Sequence, residues 1–535
     1  MSRGEGPVVD ELEYQSISPS DFFYRNREIA GFSNPSRATY TAVRELLENS
    51  LDACETGRTP PDIFLRITEV EDHRDTETKI YKLRVEDNGI GVPPEHIPKA
   101  FGQVFYGTKY ELKQARGTFG LGGTMAVLYG QITTNKPVKV VSSTGKVIHK
   151  FQLTIDIQNN RANILEHVVE ENPSKWHGTA IELQMDGDYS RVMYRLIEYL
   201  KQTAMVVPYA DITYVDPKGR LYKFERATEK MPPLPKSVLP HPHGVDVETF
   251  KRLLAADKSA TMKQFMVSNF QGVGPKTAER FLEMAGVKPN SKPEKLKPED
   301  IVRIVRTTKE FKDFKRPIAS CLSPIGEELL KTGITKELGL TQDDYINVVT
   351  RKPCTYLGFP FIVEVAVATG PTIRKTLGPG ITIYRFANRI PLLFDEGSGV
   401  IWKAVNKNIN WKTYSVEPET PLLVAVHVCS TKIPYKSVGK EFMADQPEVE
   451  REITNAIREA ARGVRAFIRR RTRLQRERRR LNTFAKYLPK IAEFSARLAE
   501  LEEPPDVKPL LRMVSANLPE VEKKLEEVPV IVETE

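Results

Sequence analysis

Cysteine is scarce in this chain: of 535 residues only Cys54, Cys321, Cys354 and Cys429 are cysteines. They stand far apart and form no CxxC pair, which argues against a disulfide framework or a thiolate zinc site. Long hydrophobic runs are missing too. No apolar stretch reaches the roughly 18 residues that span a bilayer, and Glu364 interrupts the most suggestive one, FPFIVEVAVATG. The N-terminal MSRGEGPVVDELEYQ is polar and acidic, without an apolar signal-peptide core. These absences predict a cytoplasmic chain with no membrane partner. Internal repeats and long low-complexity tracts are likewise absent.

What is present is ordinary in bulk, at 40% hydrophobic and 28% charged residues. At a prior of roughly 150 residues per domain, the length predicts three or four units. The net charge of +9 permits a polyanionic partner, although excess lysine also serves as solvated surface. A helix over 36–53 precedes strand-like runs at 62–70, 79–87, 138–142, 147–157 and 179–185, then a helical stretch near 190–205. Helices mixed with antiparallel strands predict an α/β sandwich. The proline-rich MPPLPKSVLPHPHG at 231–244 reads as a linker, followed by a helical piece to about residue 320. Strand-like runs return at 359–369, 380–386 and 422–429, and a long helical pattern begins near Pro447. Pro489, Pro504, Pro505, Pro509 and Pro519 should cut the remainder into short helices.

Three segments carry chemistry. In RELLENSLDA, residues 44–53, Glu45, Asn49 and Asp52 share one helix face, with Val43, Leu47 and Leu51 roughly opposite. Asn49 supplies a hard oxygen ligand for Mg²⁺, and Glu45 can orient and deprotonate a water. In VEDNGIGVP, residues 85–93, Asp87 can accept a hydrogen bond from an exocyclic amine such as that of adenine. Gly89 and Gly91 would let the backbone approach the base. In RGTFGLGGT, residues 116–124, Gly117, Gly120, Gly122 and Gly123 open a helix whose N-terminal amides suit phosphate. The pattern is not the GxxxxGK[ST] of a P-loop. Each segment alone has a plainer explanation: an amphipathic helix, a hairpin turn, a flexible loop.

In this order and spacing the three resemble the Bergerat-fold, or GHKL, ATPases: gyrase, Hsp90-type chaperones, histidine kinases and MutL-type repair proteins. HGT at 177–179 resembles the fourth motif, with Thr179 near the adenine. PSDFFYRNREIAGF, NPSRATYTAVRELLENSLDA, RFANRIPLLFD and HVCSTKIPYKSVGKE narrow the resemblance to archaeal topoisomerase VI B subunits, up to about residue 480. That family implies an α+β multidomain fold. A Bergerat-fold (GHKL) α/β sandwich ATPase domain with an N-terminal strap would occupy 1–235, and a helix-two-turn-helix domain 236–320. A transducer, ribosomal S5 domain 2-like α/β with a long C-terminal helix, would occupy 321–483, and a helical extension 484–535.

The resemblance also implies site residues. Glu45 would be the general base and Asn49 the Mg²⁺ ligand, while Asp87, Gly91 and Thr179 hold the adenine end. Thr108, Lys109, Gly117, Thr118, Phe119, Gly120, Leu121, Gly122, Gly123 and Thr124 would contact ATP. Lys440 of GKE matches the lysine that a transducer delivers to the γ-phosphate, with Lys432 and Lys436 as alternatives. Two positions depart from the family pattern: Gly107-Thr108-Lys109 where many relatives have Ser-Ser-Lys, and Thr124 where some have lysine. The second departure leaves more phosphate charge to Lys109 and Lys440.

Implied partners are a separate DNA-cleaving A subunit in an A2B2 heterotetramer, a second copy of this chain in an ATP-dependent homodimer, and double-stranded DNA without sequence preference. A nucleoid-associated location would follow. Two segments bear on DNA. NFQGVGPKTAERFL, residues 269–282, is either a phosphate-binding helical hairpin or a plain connection. Arg469, Arg470, Arg471, Arg473, Arg476, Arg478, Arg479 and Arg480 crowd one helix, facing DNA, an acidic partner or solvent. Asp186 and Asp188 form a DxD without a supporting glutamate and read as a polar turn, so no DNA-cutting site is expected. Rival classes are a MutL-type repair protein, which lacks the segments around 241–320, and an Hsp90-type chaperone, which needs no basic helix. A histidine kinase would need a phospho-acceptor helix ahead of the ATPase motifs, and none is found.

Overall fold

The computed structural model describes residues 16–70, 78–107, 111–117, 120–394, 397, 399–435, 443–501 and 503–515. They form two compact units. The larger holds the described residues up to Ile409 together with Pro421–Ala460, and the smaller holds Asn410–Thr420 and those from Ala461 on.

The larger unit begins with α1 (Pro19–Arg25) and α2 (Pro35–Thr56). Asn34 caps α2 by accepting the Arg37 amide at 2.8 Å, and Pro35 occupies the first turn, where its missing N–H costs nothing. Val43, Leu47 and Leu51 are fully buried. The strands β1 (Asp62–Glu69) and β2 (Lys79–Asp87) follow, then α3 (Ile97–Gly102), α4 (Gly122–Thr134), β3 (Val138–Thr144), β4 (Val147–Asp156), β5 (Arg161–Glu171), β6 (His177–Gly187), α5 (Tyr189–Val206), β7 (Asp211–Val215) and β8 (Leu221–Phe224). Their sheet has the order β5-β4-β3-β6-β2-β1-β7-β8. It is antiparallel except where β1 meets β7. α2 packs against α4 and α5, and both α2 and α4 lie on β6.

A helical stretch follows: α6 (Val247–Ala256), α7 (Met262–Asn269), α8 (Pro275–Met284) and α9 (Pro298–Glu310). It has a core of its own around Phe250, Phe265, Phe281 and Phe314. The α7–α8 hairpin turns at Gly272, with φ 76°, where a β-carbon would come within 2.7 Å of the Lys315 carbonyl. Only glycine fits there.

The rest of the larger unit comprises α10 (Glu327–Leu338), β9 (Tyr345–Thr350), β10 (Cys354–Tyr356), β11 (Phe359–Thr369), α11 (Pro371–Leu377), β12 (Ile381–Ala387), β13 (Ile390–Pro391), α12 (Val400–Asn406), β14 (Leu422–Ser430) and α13 (Pro447–Ala460). The second sheet runs β10-β11-β14-β12-β13, with β9 also on β11. β11 is the FPFIVEVAVAT run, and Glu364 is completely buried in it. Four donors make that tolerable: the Ile325 and Gly326 amides at 2.8 and 2.7 Å, the Thr350 hydroxyl at 3.1 Å and His427 Nδ1 at 2.7 Å. Buried charge is retained where it is fully hydrogen-bonded.

The smaller unit is built on α14 (Val464–Leu498) and α15 (Lys508–Ser515). The long helical pattern expected from Pro447 is therefore two helices, separated by a short 3-10 turn at Ala461–Gly463. Pro489 does not end a helix, contrary to expectation; α14 runs through it. Proline removes one N–H, and on a largely exposed helix water can satisfy the freed carbonyl. Residue 483, expected as a domain end, lies inside this helix. Tyr487, Ile491, Phe494 and Leu498 are exposed along it at helical spacing. No helix among the described residues is long and apolar enough to cross a membrane.

Candidate active site

The three chemistry-bearing segments converge where α2, α4 and the end of β2 meet. Glu45 is 9% exposed, and its carboxylate rests against the first residue of α4. A β-carbon on Gly122 would lie 1.7 Å from Glu45 Oε2, and one on Gly123 would lie 3.1 Å from Asn49 Nδ2. Glycine at both positions is what lets the Glu45 and Asn49 side chains approach the α4 N-terminus. Leu121 at its N-cap makes no side-chain capping bond, and the first-turn amides and helix dipole suit a ligand of negative charge. Asn49 itself is exposed.

Arg44 was not singled out in the sequence, yet its Nη2 donates to Glu45 Oε1 at 2.6 Å and its Nε lies 3.6 Å from Glu48 Oε1. Burial works against its charge, but the Glu45 and Glu48 carboxylates outweigh burial and raise its pKa. Tyr435 is half-buried with its hydroxyl inward, and burial of the phenol, reinforced by the Glu48 carboxylate, pushes its pKa well up. Tyr435 is the last described residue before the segment that holds Lys436 and Lys440.

Asp87 ends β2 with its carboxylate buried. Oδ2 accepts from Ser50 at 2.8 Å, and Oδ1 accepts from the Gly89 and Thr179 amides at 2.9 and 3.2 Å. Burial raises its pKa despite these donors. A carboxylate has about four acceptor directions, so room remains for one more donor such as an exocyclic amine. Gly91, at φ 71°, passes so close to β3 that a β-carbon would lie 2.0 Å from the Ser143 carbonyl. The Thr179 hydroxyl meets Ser142 Oγ at 3.0 Å, and the Val92 amide donates to the same Ser142 at 2.8 Å. Ser142 gave no sequence signal because it lies on a distant strand, whereas Ser50 sits within RELLENSLDA.

Gly117, Gly120 and Leu121 lead into α4, with Gly120 at φ 60°. Thr124 turns inward: it is 2% exposed, and its hydroxyl donates to the Ala100 carbonyl at 3.2 Å. Thr108, Lys109, Thr118, Phe119, Lys436 and Lys440 lie outside the described residues. Lys432 places its ammonium 4.9 Å from the Phe359 ring centroid. Asp52, one turn after Asn49 on α2, accepts from Arg116 Nη1 at 2.8 Å. Asp188 caps α5 by accepting the Arg191 amide at 3.2 Å, as a polar turn would. No group of three or more His, Cys, Asp or Glu that could hold a metal occurs among the described residues.

Residues 34–159 match the family of histidine kinase-, DNA gyrase B- and HSP90-like ATPases, and residues 317–480 match the transducer of the topoisomerase VI B subunit. The B subunit of type 2 DNA topoisomerase 6 from Metallosphaera sedula is 44% identical over 90% of this chain and 89% of its own length. That of Pyrobaculum aerophilum is 44% identical over 92% of this chain and 91% of its own. The chain belongs to the family of topoisomerase VI B subunits. It is accordingly the ATP-binding, ATP-hydrolysing subunit of a type II DNA topoisomerase, with a GHKL ATPase fold and a transducer. The Thermus thermophilus gyrase B ATPase domain covers 87% of this chain and 98% of its own, at 14% identity and a TM-score of 0.37.

Proposed function

We propose that the site binds Mg-ATP with Glu45 as the general base. The observation that carries this is the meeting of Glu45 and Asn49 with the glycine-built N-terminus of α4. Glu45, held by Arg44, takes the proton of the attacking water, and the Asp87 carboxylate accepts from the adenine amine while Gly91 and Thr179 border the base. The α4 amides and the 116–124 loop hold the phosphates, with Lys109 and Lys440 adding positive charge. Asn49 fits Mg²⁺, which takes one or two protein oxygens and completes its shell with phosphate oxygens and water. When bound, the ion neutralises charge on the phosphates being split.

ATP then closes two copies of this chain over a DNA duplex, and Lys440 reports the γ-phosphate to the transducer. The domains are 1–235 (ATPase), 236–320 (helix-two-turn-helix), 321–483 (transducer) and 484–535 (extension). A separate A subunit cuts the DNA in an A2B2 assembly, in the cytoplasm at the nucleoid. The exposed stripe of Tyr487, Ile491, Phe494 and Leu498 supports a partner chain on α14.

The experiment incubates the purified chain with supercoiled plasmid, Mg²⁺ and ATP, with and without the A subunit. Relaxation should appear only in the mixture and vanish with Glu45→Ala. Relaxation or covalent attachment to DNA by this chain alone overturns the division of labour.

A further inference from the structure

Gly89 sits in the turn after β2, where its neighbours leave no space for a side chain. A β-carbon there would come within 2.7 Å of the Ala53 β-carbon on α2 and 2.9 Å of Asp87 Oδ1. The Gly89 amide donates to that same Asp87 oxygen at 2.9 Å, so the backbone at Gly89 helps to aim the carboxylate. The Gly89 carbonyl meets His177 Nδ1 at 2.7 Å. A carbonyl only accepts, so Nδ1 carries the proton and the imidazole donates.

His177 opens β6, and the loop before it is built around Asn172, which is 7% exposed. Asn172 Oδ1 accepts the Trp176 amide at 3.0 Å, while Nδ2 donates to the Trp176 carbonyl at 2.7 Å and to Ser143 Oγ at 3.1 Å. On the other side, Gly178 passes so close to β2 that a β-carbon would lie 2.0 Å from the Asp87 carbonyl. The backbone of His177 is therefore held from both sides, while the residue itself is exposed. The turn it reaches has separate anchors. Asn88 Nδ2 donates to the Pro60 carbonyl at 3.1 Å and Oδ1 accepts the Asp62 amide at 2.9 Å, while the Val92 amide donates to Ser142. Between those anchors the Gly89 carbonyl is held by His177. One exposed hydrogen bond adds little to the stability of a large unit. Its consequence falls on the carboxylate that the next amide aims.

We propose that His177 is a positioning residue for the nucleobase: by fixing the Gly89 carbonyl it holds the backbone whose amide aims Asp87 Oδ1. This rests on the reading that Asp87 accepts from the adenine amine. Holding the acceptor in place before the ligand arrives removes an ordering cost from binding. The effect is therefore on affinity for any adenine nucleotide, and it leaves Glu45 and the α4 N-terminus untouched.

The test measures KM and kcat for ATP and ITP, and ADP binding, on the full chain. ITP has a carbonyl where ATP has the amine. His177→Ala should raise KM for ATP and Kd for ADP about three- to tenfold, the effect of one lost hydrogen bond. Its kcat should stay within about twofold, as for an interaction that serves binding alone, and its preference for ATP over ITP should narrow. The amide nitrogen of asparagine stands as many bonds from the backbone as Nδ1, and that of glutamine as many as Nε2. His177→Asn should therefore keep the wild-type KM and base preference, and His177→Gln should behave as the alanine variant. Wild-type KM in His177→Ala overturns the inference, as do a fall confined to kcat, an unchanged preference for ATP over ITP, or an asparagine variant as weak as glutamine. A wild-type chain with no preference for ATP over ITP would instead overturn the reading of Asp87.

Discussion

At the scale of single residues, the site depends on small groups that make space for charged ones. Glu45 can rest on α4 only because position 122 has no β-carbon. Glu45→Ala should bind nucleotide normally and lose hydrolysis by about 10²-fold or more, the usual share of a general base. Gly122→Ala should displace the carboxylate and lower kcat in the same direction, with the base chemically intact. Single-turnover hydrolysis beside equilibrium nucleotide binding separates these effects. Near-normal turnover in Glu45→Ala would rule out the base assignment.

Among the elements, α14 is the one whose surface the function has still to account for. Its N-terminal half carries the arginine run, and Arg469, Arg473 and Arg476 line a groove with Ser415 and Thr420. Arg473 is already paired with Glu477 at 2.9 Å. Replacing Arg469, Arg470 and Arg473 with glutamine should weaken binding to any duplex regardless of sequence. The plot of log K against log salt should flatten by up to ~0.9 for each phosphate that is no longer neutralised. A salt slope equal to wild type would mean these arginines face solvent or the partner chain. Helical spacing made α14 legible, whereas its passage through Pro489 was not, because a proline kink depends on how exposed the freed carbonyl is.

Across the whole molecule, buried carboxylates join the parts. Burial opposes ionisation of Glu55, but Arg116 and Arg389 outweigh it and hold its pKa below the ordinary carboxylate range; Glu364 is held low against burial by His427 and two backbone amides. For a depressed pKa, the stabilisation is present above the unfolded value, about 4.3 for glutamate, and is lost as pH falls through the folded value. Thermal stability should therefore drop below about pH 4. Glu55→Gln should cost about 3–5 kcal/mol at neutral pH by leaving buried arginines uncompensated. Its melting temperature should then approach that of wild type in acid. Parallel melting curves for the two proteins from neutral pH to about pH 3 would show that Glu55 is not held low.

Local pattern alone determined much of this protein. The helical face of Glu45 and Asn49, the strand periods of β1, β2 and β11, and the glycine run before α4 all follow from side-chain geometry within one element. The resemblance carried by those segments led to the family. The exposed edge strand β5 escaped detection because it lacks the hydrophobic alternation of a half-buried strand. Ser142, Arg116 and Arg389 escaped notice for a different reason: each is held by a partner brought close by folding, whereas Arg44 pairs with Glu45 and Glu48 of its own helix. Arg389 meets Glu55 across 334 positions of sequence. Only the tertiary structure decided those pairings, since a buried charge is defined by what surrounds it in space and no periodicity along the chain records that.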